Sequence, residues 1–194
     1  MKKAIFVMIV VGMLGWAVYE FVFTTDDNKV QEDNKVISQS KIRDINEEET
    51  ESNVIGIGKG EMAPDFELTT LEGEIVKLSD FKGQRIMLNF WATWCPPCRA
   101  EMPDMQKFQE KKDVKILAVN LLETESNPDK VQKFIDDFNL TLTVPLDEES
   151  VVSDQYQIMA YPTSFMIDSK GRIQFIALGA LNYNLMVQEF EKMQ

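Results

Sequence analysis

From about Val54 onward, short apolar runs alternate with amphipathic stretches, and each period predicts an element. FELTT and IVKL flank LEGE, the signature of a β-hairpin closed by a Gly-containing turn. RIMLNF reads as a buried strand, and VKILAVN is a second apolar run bounded by a turn on one side. Between them RAEMPDMQKFQEKK has helical composition, and PDKVQKFIDDFN reads as a second helix with Pro128 near its start. SFMID and RIQFIAL flank SKG as a second hairpin, and NLMVQEFEKM closes the chain as an amphipathic helix. Strand, helix, strand, helix, hairpin and terminal helix in that order imply an α/β fold. Its mixed central sheet is flanked by helices, with the first hairpin added at the N-terminal side.

The first 53 residues follow different rules. Lys2 and Lys3 precede an apolar run from Ala4 to Tyr19 that resumes after Glu20 through Phe23. As a helix, residues 4–23 would reach roughly 30 Å, one hydrocarbon core. A cleaved signal peptide shares the Lys-rich start, but bulky AVYEFVF offers no small-x-small cleavage site. The expectation is a single transmembrane helix with a cytoplasmic N-terminus over residues 1–23, placing everything after Phe23 on the extracytoplasmic side. Residues 24–53 hold nine acidic against four basic residues and no sustained apolar period, which predicts a flexible, solvated tether. The globular domain is then residues 54–194.

Charge and composition narrow the chemistry. The net charge is −12, from 32 acidic and 20 basic residues, which argues against nucleic acid as a partner. Histidine is absent, so Ser–His and Cys–His nucleophile pairs and imidazole metal ligands are excluded. The only two cysteines lie in FWATWCPPCRAEMP, as Cys95 and Cys98. A zinc site would need a second cysteine pair or histidines, so no metal site is expected. A structural disulfide is disfavoured because so small a loop removes little chain entropy. Redox exchange remains. Cys95 falls where a strand gives way to a helix, and unpaired N–H groups at the helix start stabilise a thiolate. Pro96 and Pro97 suit a first helical turn, where their missing N–H groups would be unpaired anyway, and they stiffen the dithiol loop. Cys95 is therefore expected to attack and the more shielded Cys98 to resolve the mixed disulfide.

WCPPC between a buried strand and a helix resembles the active site of the thioredoxin superfamily. Pro103, five residues past Cys98, matches the proline inside that family's active-site helix, and Tyr161-Pro162-Thr163 before SFMID is similar to its cis-proline loop. The membrane anchor, APDFELTTLEGEIVKLSDFKG and WCPPCRAEMP resemble the ResA/TlpA type, with StoA-like relatives. That resemblance implies a thioredoxin-like fold and a membrane-anchored, extracytoplasmic thiol–disulfide oxidoreductase with no cofactor beyond the redox-active disulfide. It also implies exported protein substrates with cysteine pairs, in apocytochrome c maturation or endospore formation, and electrons from a CcdA-type membrane protein. The alternatives are an oxidase or isomerase of exported proteins, or a peroxiredoxin-like peroxidase. The N-terminal stretch also suits the last of these, but neither cysteine sits in a P-x-x-x-[TS]-x-x-C context.

Three positions around the dithiol carry further expectations. Glu101, at Cys98+3, shares a helix face with it and reads either as a carboxylate turned toward the thiols or as an ordinary solvated first-turn residue. The resemblance implies the former, a glutamate that influences active-site protonation. Asn89 stands where thioredoxins proper carry a buried acid. Trp94 is expected to line a substrate groove faced by Tyr161 and Pro162, where backbone can pair with an extended peptide, whereas Trp91 is expected in the core. The acidic run at 147–150 is expected to be a set of solvated helix-entry residues, not a recognition patch.

Overall fold

The computed structural model describes residues 54–193. The transmembrane helix expected over residues 1–23 and the tether expected over 24–53 lie outside the described residues. Among those described, no helix is long and apolar enough to cross a membrane.

Among the described residues seven strands form one mixed sheet: β1 (Glu67–Thr70), β2 (Ile75–Lys77), β3 (Ile86–Trp91), β4 (Lys115–Asn120), β5 (Pro145–Leu146), β6 (Thr163–Ile167) and β7 (Ile173–Leu178). Their order across the sheet is β2-β1-β5-β4-β3-β6-β7. The helices are α1 (Pro96–Lys111), α2 (Asp129–Phe138), α3 (Val151–Gln155) and α4 (Tyr183–Lys192), with 3-10 turns at Leu78–Phe81 and Leu122–Thr124. β3 runs parallel to β4 and antiparallel to β6, and β4 runs parallel to β5. β1 pairs antiparallel with both β2 and β5. Between β1 and β2 the chain reverses at Gly73, whose φ of +84° an L side chain rarely adopts.

β3 organises the core because all six of its residues are buried. Successive side chains of a strand point to opposite faces. Ile86, Leu88 and Phe90 therefore join Leu117, Val119, Phe165, Ile167, Val152 and Tyr156 on one face. Met87 and Trp91 join Ile116, Met105, Phe108, Phe134, Met186 and Phe190 on the other, beneath α1, α2 and α4. α1 supplies its share through the helical spacing of Cys98, Met102, Met105 and Phe108. Trp91 lies in this core as expected, and its indole N–H donates to the Ala118 carbonyl at 3.0 Å. On the opposite face Tyr156 packs between Phe90 (5.4 Å between ring centroids) and Phe165 (5.2 Å) while its hydroxyl donates to the Pro64 carbonyl.

The acidic run at 147–150 leads into a helix as expected, but not all of it is solvated. Glu148 and Glu149 are exposed, but Asp147 is buried, and its two carboxylate oxygens accept the Val152 and Ser153 N–H groups at 3.2 and 2.7 Å. It starts α3, whose own first amides have no intrahelical acceptor.

Phe90 faces away from the cysteines, so its truncation separates fold from chemistry. Phe90→Ala is expected to cost about 3–5 kcal/mol, read as a lower urea midpoint at unchanged slope, with the Cys95–Cys98 disulfide still forming.

Candidate active site

β3 ends at Trp91, and the chain turns through Ala92, Thr93 and Trp94 into α1. That turn is held from outside by Glu125, just past the Leu122–Thr124 turn. Its carboxylate accepts the Thr93 N–H at 2.6 Å, the Thr93 hydroxyl at 2.5 Å and the Asn120 amide at 3.1 Å. Charge-assisted bonds of this kind are short and strong. Sequence reasoning did not single out Glu125. It lies 32 residues from Thr93 in an exposed polar loop, and nothing in its local pattern marks it.

Cys95 is the N-cap of α1 in extended conformation, and its sulfur accepts the Cys98 N–H at 3.2 Å. Cys95 and Cys98 form a disulfide with Cα atoms 5.3 Å apart. Pro96 and Pro97 occupy the first helical turn and are exposed, so the missing N–H groups leave no buried donor unpaired. Both sulfur-bearing residues are largely buried, Cys98 completely and Cys95 to within 3%. Pro103 lies inside α1, which continues through it to Lys111.

Glu101 is 2% exposed and lies on the buried stripe of α1, which removes the solvated alternative. Its carboxylate accepts the Leu181 N–H at 2.9 Å and the Asn89 side-chain amide at 3.3 Å. Asn89, fully buried on β3, also donates to the Ser164 hydroxyl at 2.9 Å. Burial pushes the Glu101 carboxyl up to about 7, with Asp104 adding a smaller push, while the Leu181 N–H and the Asn89 amide pull it down. Asn89 Oδ1 is buried and has no hydrogen-bond partner among the described residues. With the Asn89 amide turned over, that oxygen would accept from a protonated Glu101 and from Ser164. Asp104, one turn on, accepts the Tyr183 N–H at 3.1 Å, so two carboxylates of α1 tie down the start of α4.

Of the expected substrate wall, Trp94 is 52% exposed and meets Tyr161 edge to face at 5.8 Å. Its indole N–H donates to the Thr124 hydroxyl. The Tyr161–Pro162 peptide is cis, Pro162 itself is buried, and its carbonyl accepts the Gly179 N–H at 2.8 Å. Tyr161 is half-buried, and the exposed apolar side chains beside this loop are Met159 (93% exposed) and Leu178, which pairs with Thr163 next to Pro162. Sequence reasoning missed Met159 and Leu178, because exposure at a loop and a strand end has no periodic signature.

A model of the AhpC/TSA family matches residues 59–176. The chain is 42% identical over 139 residues to the thioredoxin-like protein YneN of Bacillus subtilis, covering 71% of this chain and 81% of that protein. It is 46% identical over 129 residues to the thiol-disulfide oxidoreductase ResA of Oceanobacillus iheyensis, covering 63% of this chain and 66% of that protein. Among solved structures, StoA from Bacillus subtilis superposes with a TM-score of 0.59 at 34% identity, covering 66% of this chain and 96% of StoA.

The Glu101 geometry sets a pH dependence of stability. The folded chain keeps the carboxyl proton up to about 7, whereas the unfolded carboxyl releases it near 4.5, so the folded state binds more protons in between. The stability is complete below about 4.5 and is lost as pH rises through about 7. At about 1.4 kcal/mol per pH unit, the loss approaches about 3 kcal/mol. In urea titrations of the oxidised protein from pH 4 to 8, Glu101→Gln should abolish this decline. An identical pH profile in the variant would show that Glu101 is not the group responsible.

Proposed function

The chain belongs to the AhpC/TSA family of thioredoxin-like proteins and is a thiol–disulfide oxidoreductase, and from that premise we propose that it reduces disulfides in exported polypeptides. The observation that carries the reading is the pairing of Cys95 with Cys98 at the start of α1, with Cys95 as N-cap and its sulfur accepting a backbone N–H. In the reduced protein that position favours a thiolate at Cys95. The thiolate attacks one sulfur of a substrate disulfide, the substrate S–S bond breaks, and one substrate cysteine leaves and takes up a proton. Cys98 then loses its proton and attacks Cys95 Sγ, breaking the mixed disulfide and releasing the second substrate thiol. Two electrons pass to the substrate and the chain is left with the Cys95–Cys98 disulfide.

In this reading Glu101 exchanges the proton of Cys98. It lies one helical turn away, it is buried, and its carboxyl changes charge near neutral pH. Trp94, Pro96, Pro97 and Tyr161 make up the surface a substrate strand meets, and buried Pro162 shapes it from beneath. Lys2, Lys3 and the apolar run to Phe23 support a membrane anchor that holds the domain outside. A CcdA-type membrane protein then returns the disulfide to the dithiol. The substrates are apocytochrome c or proteins of the endospore envelope. A disulfide-bonded CPPC pair, with neither cysteine in a peroxidatic context, favours dithiol exchange over peroxide reduction.

Cys98→Ser in the full chain should accumulate a mixed disulfide through Cys95, visible on non-reducing gels, while Cys95→Ser should not. Trapping only in Cys95→Ser would reverse the two roles. Equilibration with glutathione tests direction: a potential more oxidising than that of the compartment would replace a reductant with an oxidant.

A further inference from the structure

Beside Trp94 lies a groove of about 310 Å³ lined by Thr93, Trp94, Arg99, Lys130, Lys133, Phe134 and Asp137. Three cations converge there on a domain (residues 54–194) that carries 22 acidic and 14 basic residues. Lys133 is already paired with Asp137 at 2.9 Å. Glu125, which bonds the Thr93 that lines the groove, is committed to Thr93 and Asn120. Arg99 and Lys130 remain without an ion pair among the described residues; Lys130 donates to the Ser126 hydroxyl and Arg99 to the Thr93 carbonyl.

Arg99 is also held in place. Its guanidinium lies 5.1 Å from the Phe134 ring and 5.3 Å from that of Phe138, which fixes the plane of a fork that keeps further N–H donors. Arg99 follows the N-cap Cys95 by four residues, about one turn along α1, and its guanidinium reaches back to the Thr93 carbonyl in the turn before that cap. Lys130 and Lys133 share a face of α2 at i,i+3 spacing. The volume is at the small end for ligand clefts, enough for one side chain and its backbone.

We infer that this groove is a carboxylate subsite, taking an acidic side chain that the substrate polypeptide carries within a few residues of the cysteine that exchanges with Cys95. The inference rests on the dithiol-exchange reading above and adds a sequence preference to it. A cationic cleft on an acidic surface concentrates field on one approach path, so the preference appears in the rate and weakens with salt.

The test uses the reduced full chain in detergent and three disulfide-linked peptides that differ only in Glu, Ala or Lys beside the cysteine. At low ionic strength the Glu peptide is expected to be reduced about tenfold faster than the Lys peptide, with the gap narrowing in high salt. The charge swap Lys130→Glu/Lys133→Glu should reverse that ratio, which each variant reports independently of its overall rate. An unchanged glutathione equilibrium would show that the dithiol is still properly housed. Equal rates for the Glu and Lys peptides, or a ratio that survives the swap, would overturn the subsite. Failure to reduce even the Ala peptide would instead overturn the exchange reading beneath it.

Discussion

All six residues of β3 are buried, and that one constraint places the rest of the domain. A strand buried on both faces must be covered twice. Its alternate side chains therefore decide which elements lie on which side: α1, α2 and α4 over Met87 and Trp91, α3 and the Tyr156 cluster over Leu88 and Phe90. The same strand ends where α1 begins, so the sulfurs inherit their position from the most deeply packed part of the molecule. Burial here serves geometry as much as stability, because a dithiol on rigid elements exchanges from one defined direction.

The cost of that arrangement falls on Asn89 and Glu101. Asn89 alternates in register with Met87 and Trp91, so it has to face α1, and the residue it meets there is a glutamate. A carboxylate under a helix is unfavourable unless partners offset its lost hydration. Leu181 and Asn89 offset part of it, and the remainder shows as a carboxyl that holds its proton to near neutrality. The feature that destabilises the fold at high pH is thus the one that gives the site a titratable group without histidine.

Much of this was legible in the sequence because the strongest elements carry local signals. RIMLNF read as a buried strand and VKILAVN as a second apolar run, and the CPPC pair announced its helix start through its prolines. The buried stripe of α1 also contained Glu101, since Cys98, Met105 and Phe108 stand three, four and seven residues from it. Other features left no such trace. β5 is two residues long and exists only through its neighbours β1 and β4. Asp147 sits in a run of charges that looked solvated, yet two amides of a five-residue helix draw it inside. Glu125 acts across 32 residues of chain, and no window of sequence joins it to Thr93.

The clamp formed by Glu125 and Thr124 on Thr93 and Trp94 has a consequence for engineering. WATWCPPC grafted onto another sheet would carry both sulfurs and both prolines but leave behind the acceptors that fix the approach to them. The transplanted loop would be free to tilt, and the helix start would no longer present its first amides to Cys95 along a fixed line. In this scaffold the unit of inheritance is the motif together with the segment after β4, and a chimera that keeps its redox behaviour has to exchange the two as a pair.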